Sequence, residues 1–208
     1  MKLYLVRHGE STSNIDGIIQ PLGSELSEKG KEQAKFLAAR FKNIPVDIII
    51  SSPLKRAKQT AEIIERVIQK EVVYTDLLSE RKNPSEFIGM DYKDPKFVKV
   101  NELLGDSTDP SFHHSDEENL FDLKDRAERL LEFLSNRKEE HILCITHGVF
   151  LKVIIGAMEF GERLTPQTIF ALQSFLRTEN TGITICEKDE KGRWSMHVWN
   201  DHAHLGEL

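Results

Sequence analysis

Basic and imidazole side chains follow three apolar runs of the sequence. Arg7 and His8 come directly after the apolar run Leu3–Val6. Arg56 lies five residues after a second run, which ends at Ser51, and His147 directly follows a third, which ends at Thr146. Guanidinium groups present forked donors that match phosphate oxygens, and a neutral imidazole nitrogen is a nucleophile toward phosphorus. Grouped carboxylates and aromatic side chains are missing from these stretches, which disfavours a metal or sugar site. The pattern predicts a cationic pocket for a tetrahedral oxyanion such as phosphate.

Two predicted helices begin beside these residues. Pro53 fits the first turn of a helix with Ser52 as its N-cap, which places Arg56 about one turn into that helix. His147 and Gly148 open a second helical stretch. Free N–H groups at helix N-termini favour an anion. We therefore expect phosphate to lie against both helix N-termini, with Gly148 among the phosphate-binding residues.

The order of elements predicts an α/β fold. Short apolar runs alternate with amphipathic stretches, which is typical of strands in a mostly parallel sheet joined by crossover helices. We predict a three-layer sandwich with a mostly parallel central sheet, helices on both faces and a final hairpin. The predicted strands are Leu3–Val6, Asp47–Ser51, Glu71–Tyr74, His141–Thr146, Thr181–Glu187 and Trp194–Trp199, and the helices include Glu28–Phe41, residues 54–68, residues 120–134 and Val149–Met158.

One segment, roughly Ser79–Asn119, does not fit this alternation. It is highly charged, contains three prolines and shows no long amphipathic pattern. Two interpretations stay open: the segment is a short helical insertion or a lid over a site, or it is a solvated surface excursion. In either case we expect a single domain over residues 1–208, with the insertion at roughly residues 79–119.

Hydrolysis of a phosphate ester also requires a proton for the leaving oxygen, which a carboxylic acid near the pocket could supply. Glu80 follows the third predicted strand closely enough to overhang the same edge of the sheet. Glu10 and Glu86 are alternatives. Asn14 could approach the phosphate or could simply shape a turn.

Composition excludes several classes of protein. The 208 residues carry a formal net charge of -6, which argues against a nucleic-acid-coating protein. No apolar run approaches the roughly 20 residues of a membrane span. The apolar run at the start of the chain is too short for a signal peptide. We expect a cytoplasmic protein whose two cysteines, Cys144 and Cys186, are reduced core thiols. No nucleic-acid or membrane partner is expected.

Several motifs of the chain resemble the histidine phosphatase superfamily, which includes phosphoglycerate mutases and many small phosphatases. The resemblance covers nearly the whole chain, and its motifs occur in the same order as in that superfamily. Its motifs are Leu5–Ser11 with Asn14, Leu26–Ala34, Ser51–Ala61, Glu80, Thr146–Gly148, Asn180–Gly182 and Trp199–His202.

The resemblance implies a role for individual residues. His8 resembles the nucleophile that accepts the phosphoryl group, Arg7, Arg56 and His147 resemble the phosphate-binding groups around it, and Glu80 resembles the proton donor. Asn14 resembles a polar residue that also approaches the phosphate. No metal ion or other cofactor is expected, and the partners are a small phosphorylated substrate and phosphate ion.

The sequence departs from the mutases of that superfamily. Their acid is followed by an Arg-x-Tyr-Gly stretch, whereas the chain reads Arg81-Lys82-Asn83-Pro84 after Glu80. We therefore favour a metal-independent phosphatase. A phosphoglycerate-type mutase and a non-catalytic phospholigand-binding module are the alternatives. The substrate and the oligomeric state cannot be predicted.

Five other histidines are expected to have less specific roles. His113 and His114 lack the spacing of metal ligands and are predicted in a solvated loop, with substrate contact from a lid as the alternative. His197, His202 and His204 lie along or after the final strand and are predicted at the surface.

Overall fold

A six-stranded mixed sheet forms the centre of the protein in the computed structural model, which describes residues 1–206. The strands are β1 (Lys2–Arg7), β2 (Ile48–Ser51), β3 (Val72–Tyr74), β4 (His141–Thr146), β5 (Ile183–Lys188) and β6 (Trp194–Asp201). Their order is β3-β2-β4-β1-β5-β6, in which the first four are parallel and β5 and β6 are antiparallel to their neighbours. The predicted α/β class, the mostly parallel sheet and the final hairpin are confirmed.

Helices cover both faces of the sheet. Successive side chains of a strand point to opposite faces, so Leu3 and Leu5 of β1 pack on one side while Tyr4 and Val6 pack on the other. Two helices bury apolar faces against each side, as predicted. On the Leu3 side these are α5 (Leu120–Ser135) and α6 (Gly148–Phe160), and on the Val6 side they are α2 (Glu28–Phe41) and α3 (Lys55–Ile68).

The remaining helices are α1 (Thr12–Ile15), α4 (Pro95–Asp106) and α7 (Pro166–Phe175). The parallel strands determine where the loops meet. Arg7 of β1 is in register with Thr146 of β4, and Ser51 of β2 is in register with Ile145. The residues that follow β1, β2 and β4 therefore lie together at the carboxyl edge of the sheet, where ligands bind in open α/β sheets.

The start of α3 differs from the prediction. The helix begins at Lys55 and its N-cap is Leu54, which has an extended backbone at φ -62° and ψ 136°. Ser52 therefore is not the N-cap, because Pro53 and Leu54 separate it from the helix. Its hydroxyl accepts a hydrogen bond from the backbone N–H of Leu54 at 3.2 Å, which closes a local turn instead.

Residues 79–119 contain the helix α4, whose bounds could not be predicted from the sequence. Asp94 caps α4 by accepting a hydrogen bond from the backbone N–H of Lys96 at 2.8 Å, and Pro95 occupies the first turn. This segment contributes to a small apolar core, which argues against a wholly solvated surface excursion. The core consists of Ile19, Phe87, Phe97, Val100 and Leu104.

Cys144 and Cys186 are buried free thiols, as predicted, and burial raises the pKa of each to about 12. Within residues 1–206, the structure contains no helix that is both long enough and apolar enough to cross a bilayer.

Candidate active site

His8 directly follows β1 at the carboxyl edge of the sheet and is 1% exposed. Its backbone N–H donates to the carbonyl of Thr146 at 3.0 Å, which continues the β1–β4 pairing by one residue. The ring nitrogen Nδ1 lies 2.7 Å from the carbonyl oxygen of Gly9. Because a carbonyl only accepts, we assign the proton of the neutral ring to Nδ1, which leaves the lone pair on Nε2.

Two guanidiniums flank this imidazole, that of the buried Arg56 and that of the partly buried Arg7. Nε of Arg56 donates to Nε2 of His8 at 3.2 Å, and Nη1 of Arg7 donates to the carbonyl of Thr178 at 2.7 Å. Two further donors, Nε of Arg7 and Nη1 of Arg56, are buried and have no hydrogen-bond partner among the described residues. The predicted pairing of both arginines with His8 at one place is therefore what the structure shows.

His147 completes the pocket. Its ring centroid lies 5.0 Å from that of His8, and its Nε2 lies 2.9 Å from Oγ of Ser52. If the Ser52 hydroxyl donates to Nε2, the proton of the neutral ring is on Nδ1. That Nδ1 atom is buried and has no partner within residues 1–206. Ser52 thus orients His147, a role that sequence analysis missed because it interpreted Ser52 as a helix cap.

Burial and positive charge keep both imidazoles neutral. The pKa of His8 is well below its ordinary value, first because of burial and then because of the charges of Arg56 and Arg7. Burial, Arg56 and His8 lower the pKa of His147 in the same way. A neutral Nε2 on His8 is the form that can attack phosphorus.

Three buried nitrogens on residues around His8 have no hydrogen-bond partner among the described residues, namely Arg7 Nε, Arg56 Nη1 and His147 Nδ1. Buried polar groups are nearly always hydrogen-bonded, and leaving one unpaired costs about 1–3 kcal/mol. The two guanidinium nitrogens donate hydrogen bonds, as does Nδ1 of His147 in the tautomer described above, and an oxyanion supplies several acceptor oxygens. The residues around His8 therefore suit a tetrahedral anion.

Glu80 lies at the N-terminus of α6, and three backbone N–H groups hold its carboxylate. Oε1 accepts from Arg81 at 2.9 Å and from Phe150 at 3.0 Å, while Oε2 accepts from Val149 at 3.2 Å. The expectation that phosphate would lie against this helix N-terminus is wrong in one respect. The first-turn amides of Val149 and Phe150 already bind the carboxylate of Glu80.

The structure separates Glu80 from its two rivals. Glu80 and Arg56 line the same cleft. The carboxylate of Glu10 accepts from Ser27 at 2.8 Å and pairs with a lysine, and Glu86 is paired with His114 at 2.8 Å. Both alternatives are bound to other side chains, and neither lines the cleft that contains Arg56 and Glu80.

Asn14 has a structural partner. Its Oδ1 accepts from the backbone N–H of Ser11 at 3.1 Å, which caps α1, and from Asn180 Nδ2 at 3.4 Å. Nδ2 of Asn180 also donates to the carbonyl of His8 at 2.9 Å. Asn14 is therefore connected to the His8 loop, and the turn-shaping role predicted for it is present.

Gly148 permits a close approach. A Cβ atom at this position would lie 3.4 Å from Nε of Arg7 and 3.2 Å from Oγ1 of Thr178. A side chain here would crowd the guanidinium whose Nε faces the pocket, so the small residue follows from packing.

Tyr92 is a member of the cleft that sequence analysis missed. It lies on the segment between the third strand and α4, and it lines the cleft together with Arg56, Glu80 and Gln20. Burial and the charge of Glu80 raise the pKa of its phenol. No signal in the sequence indicated it, because the path of this charged segment could not be predicted.

The remaining histidines have carboxylate or polar partners. His113 pairs with Asp122 and His114 with Glu86, each at 2.8 Å, in partly exposed positions. The surface position expected for His204 is wrong. Its ring is partly buried and lies 3.0 Å from Oγ1 of Thr181.

A three-layer α/β fold with a buried neutral imidazole between two guanidiniums defines an enzyme site for phosphate esters. The chain belongs to the histidine phosphatase superfamily, branch 1, whose family model matches residues 3–202. The predicted family and the predicted kind of enzyme are confirmed.

Relatives include both phosphatases and mutases. A probable phosphatase of Schizosaccharomyces pombe is 30% identical over 99% of the chain and 95% of its own length. A probable phosphoglycerate mutase of Escherichia coli is 27% identical over 99% of the chain and 95% of its own length. The crystal structure of a mutant phosphoserine phosphatase from Entamoeba histolytica in complex with phosphoserine superposes with a TM-score of 0.80, at 27% identity over 98% of both chains.

Proposed function

We propose that the protein hydrolyses small phosphomonoesters through a phosphohistidine on His8. The observation that supports this most strongly is the set of three unpaired buried donors around the His8 lone pair, on Arg7, Arg56 and His147. These donors would bind the three non-bridging oxygens of a phosphoryl group. They would also stabilise the charge that spreads over those oxygens in the transition state.

In the first step, Nε2 of His8 attacks phosphorus in line with the leaving oxygen. The N–P bond forms while the ester P–O bond breaks, and Glu80 gives its proton to the leaving alkoxide. The Gly9 carbonyl, which accepts from Nδ1, stabilises the positive charge that develops on the ring.

In the second step, water attacks the phosphohistidine from the side that the alcohol has left. The carboxylate of Glu80 takes a proton from that water, the N–P bond breaks and Nε2 recovers its lone pair. The products are inorganic phosphate and the neutral imidazole, and Glu80 is protonated again for the next cycle.

The direct test is hydrolysis of an aryl phosphate in the presence of a metal chelator. We expect activity in the wild type and its loss in His8→Ala. His197→Ala is the matched control, since His197 is an exposed histidine outside the pocket. Full activity in His8→Ala would contradict the proposal, and phosphate binding without any turnover would instead support the non-catalytic module.

A phosphotransferase is the second candidate, because the Escherichia coli relative is named as a probable phosphoglycerate mutase. A mutase would return the phosphoryl group from His8 to another hydroxyl of a phosphoglycerate rather than to water. Isomerisation of a phosphoglycerate measured against phosphate release separates the two. The different sequence after Glu80, which lacks the Tyr-Gly of mutases, favours hydrolysis.

Phosphoserine is the first substrate to assay, because the Entamoeba histolytica relative was crystallised with it. A cytoplasmic location stays a prediction, and cell fractionation tests it.

A further inference from the structure

Arg126 of α5 is a buried guanidinium that supports the loop in front of Glu80. It is 6% exposed, and its Nη1 donates to the carbonyl of Ser79 at 2.7 Å and more weakly to that of Leu77 at 3.4 Å. Ser79 directly precedes Glu80. The guanidinium therefore holds the backbone at the base of the proposed acid.

The same guanidinium, through Glu118, joins the beginning of the 79–119 segment to its end. Nε and Nη2 of Arg126 donate to the two carboxylate oxygens of Glu118 at 2.8 Å and 2.9 Å. Glu118 in turn binds Lys82, since its backbone N–H donates to the Lys82 carbonyl and its Oε2 accepts from the Lys82 N–H, both at 3.0 Å. The segment thus leaves and re-enters the fold through one hydrogen-bonded neck.

A third contact connects Arg126 to the other side of the acid. Its guanidinium carbon lies 3.8 Å from the ring centroid of Phe150, a close cation–π contact. The backbone N–H of Phe150 is one of the donors that hold the carboxylate of Glu80, at 3.0 Å. Arg126 therefore contacts the loop before Glu80 and the helix that binds its carboxylate, and it is connected to the backbone after Glu80 through Glu118.

We propose that Arg126, paired with Glu118, is a positioning residue that sets the distance between Glu80 and the leaving oxygen of the substrate. This inference rests on the role proposed for Glu80 as the acid. A reacting group misplaced by about 1 Å can lose about 100-fold in rate. Arg126 has no hydrogen bond to Arg7, His8, Arg56 or His147 among the described residues, although its charge contributes to the lowered pKa of His147. We therefore expect its loss to weaken proton donation more than phosphoryl binding.

The test is the dependence of kcat/KM on the leaving group, measured over phosphomonoesters from nitrophenyl to alkyl. An acid matters most for alkyl esters, whose alkoxides leave poorly without a proton. The variants are Arg126→Lys, which keeps the charge but loses the fork, and Glu118→Gln, a milder change at a partly exposed position. Circular dichroism and thermal unfolding establish that each variant is folded.

Arg137→Lys is the matched control. Arg137 makes the same two-bond contact with Glu139, at 3.0 Å and 2.7 Å, and its guanidinium also lies over a phenylalanine ring. We expect Arg126→Lys and Glu118→Gln to lose about 10- to 100-fold on alkyl esters and little on nitrophenyl esters. We expect Arg137→Lys to keep the wild-type slope.

Two results would overturn the inference, and they are distinguishable. A uniform loss across the ester series, or no loss, in folded Arg126→Lys and Glu118→Gln shows that the pair is merely structural. Glu80→Gln is run beside them, and an unchanged leaving-group slope in that variant shows that Glu80 is not the acid. That outcome removes the proposed function of Glu80 and the positioning role together.

Discussion

At the scale of single residues, the imidazole of His8 is buried and is held in the tautomer that has its proton on Nδ1. The Gly9 carbonyl fixes the proton on Nδ1, and the neighbouring guanidiniums lower the pKa of the ring, so Nε2 is unprotonated and accepts a hydrogen bond from Nε of Arg56. The same charges that suppress protonation also bind the substrate anion. Arg56 and Arg7 therefore keep the nucleophile neutral before the reaction and bind the phosphoryl group during it.

Removal of one charge should change the pH profile in a defined direction. Arg56 is the largest electrostatic cause of the lowered pKa of His8 after burial. In Arg56→Gln, protonation of His8 becomes easier, so its pKa rises and the acid limb of kcat/KM moves to higher pH. The rate itself should fall about 100- to 1,000-fold, since a transition-state donor is lost.

The comparison uses one substrate for both enzymes, so that titration of the substrate phosphate is common to the two profiles. Arg40→Gln serves as the control, because this arginine is paired with Asp201 rather than with a residue around His8. An acid limb that stays in place or moves to lower pH in Arg56→Gln would show that Arg56 does not hold His8 neutral.

The four residues that follow strand ends could be predicted because their types and positions are unusual in the sequence. Arg7, His8, Arg56 and His147 each come just after an apolar run, and parallel strands bring such ends together. Tyr92 could not be predicted in this way. Its position depends on how a charged, proline-containing segment packs, and local pattern contains no information on that packing.

At the scale of elements, the loop after β1 touches the first turn of α2 backbone to backbone. A Cβ atom built on Gly30 would lie 1.9 Å from the carbonyl oxygen of Glu10, and one built on Gly9 would lie 2.5 Å from that of Gly30. The backbone N–H of Ser27, the N-cap of α2, also donates to the Glu10 carbonyl at 2.9 Å. The start of α2 therefore fixes the loop that contains His8.

Gly30→Ala should consequently disturb both stability and activity. The added methyl group cannot be accommodated without a shift of the His8 loop, and such overpacking costs about 1–3 kcal/mol. We expect a lower free energy of unfolding in urea and a lower kcat on an aryl phosphate. Gly23→Ala is the control, because a Cβ there meets nothing within 4 Å. Wild-type stability in Gly30→Ala would contradict the close approach.

Helix α4 shows what local pattern can miss. Asp94 and Pro95 are an ordinary start signal, and Phe97, Val100 and Leu104 have helical spacing. The lysines and glutamate among them obscured the apolar stripe, whose partners Ile19 and Phe87 lie elsewhere in the chain. The strands of the sheet were easier to predict, because their apolar runs are nearly continuous.

At the scale of the whole molecule, three histidines with lowered pKa values make folding sensitive to acid. Burial is the first cause for His8, His147 and His204, and the pKa of His204 falls to about 4. Below about pH 6.5 the unfolded chain binds protons that the folded protein does not. The free energy of unfolding should therefore fall as the pH decreases through this range, whereas His113, whose pKa is raised, acts in the opposite sense.

His204→Asn should flatten this dependence between about pH 4 and pH 6.5. One proton contributes a slope of about 1.4 kcal/mol per pH unit at most, and the variant should lose up to that amount. Urea unfolding at a series of pH values measures it, with His197→Asn as an exposed control. An unchanged slope in His204→Asn would show that the partly buried ring does not resist protonation.

The layer order of the whole fold could be predicted from the alternation of strands and helices, since right-handed crossovers leave few arrangements. The position of residues 79–119 could not, because it depends on the neck at Arg126 and Glu118 and on the small core around Phe97. A single domain over residues 1–208 stays a prediction, and residues 207–208 lie outside the described residues.

The central claim is a covalent bond between phosphorus and Nε2 of His8, and rapid-quench trapping with a radiolabelled phosphomonoester tests it most directly. We predict an acid-labile, base-stable label that forms within one turnover and maps to the peptide containing His8, and that is missing in His8→Ala. A folded wild-type enzyme that turns the ester over without any protein-bound label, or with the label on another residue, would contradict the account.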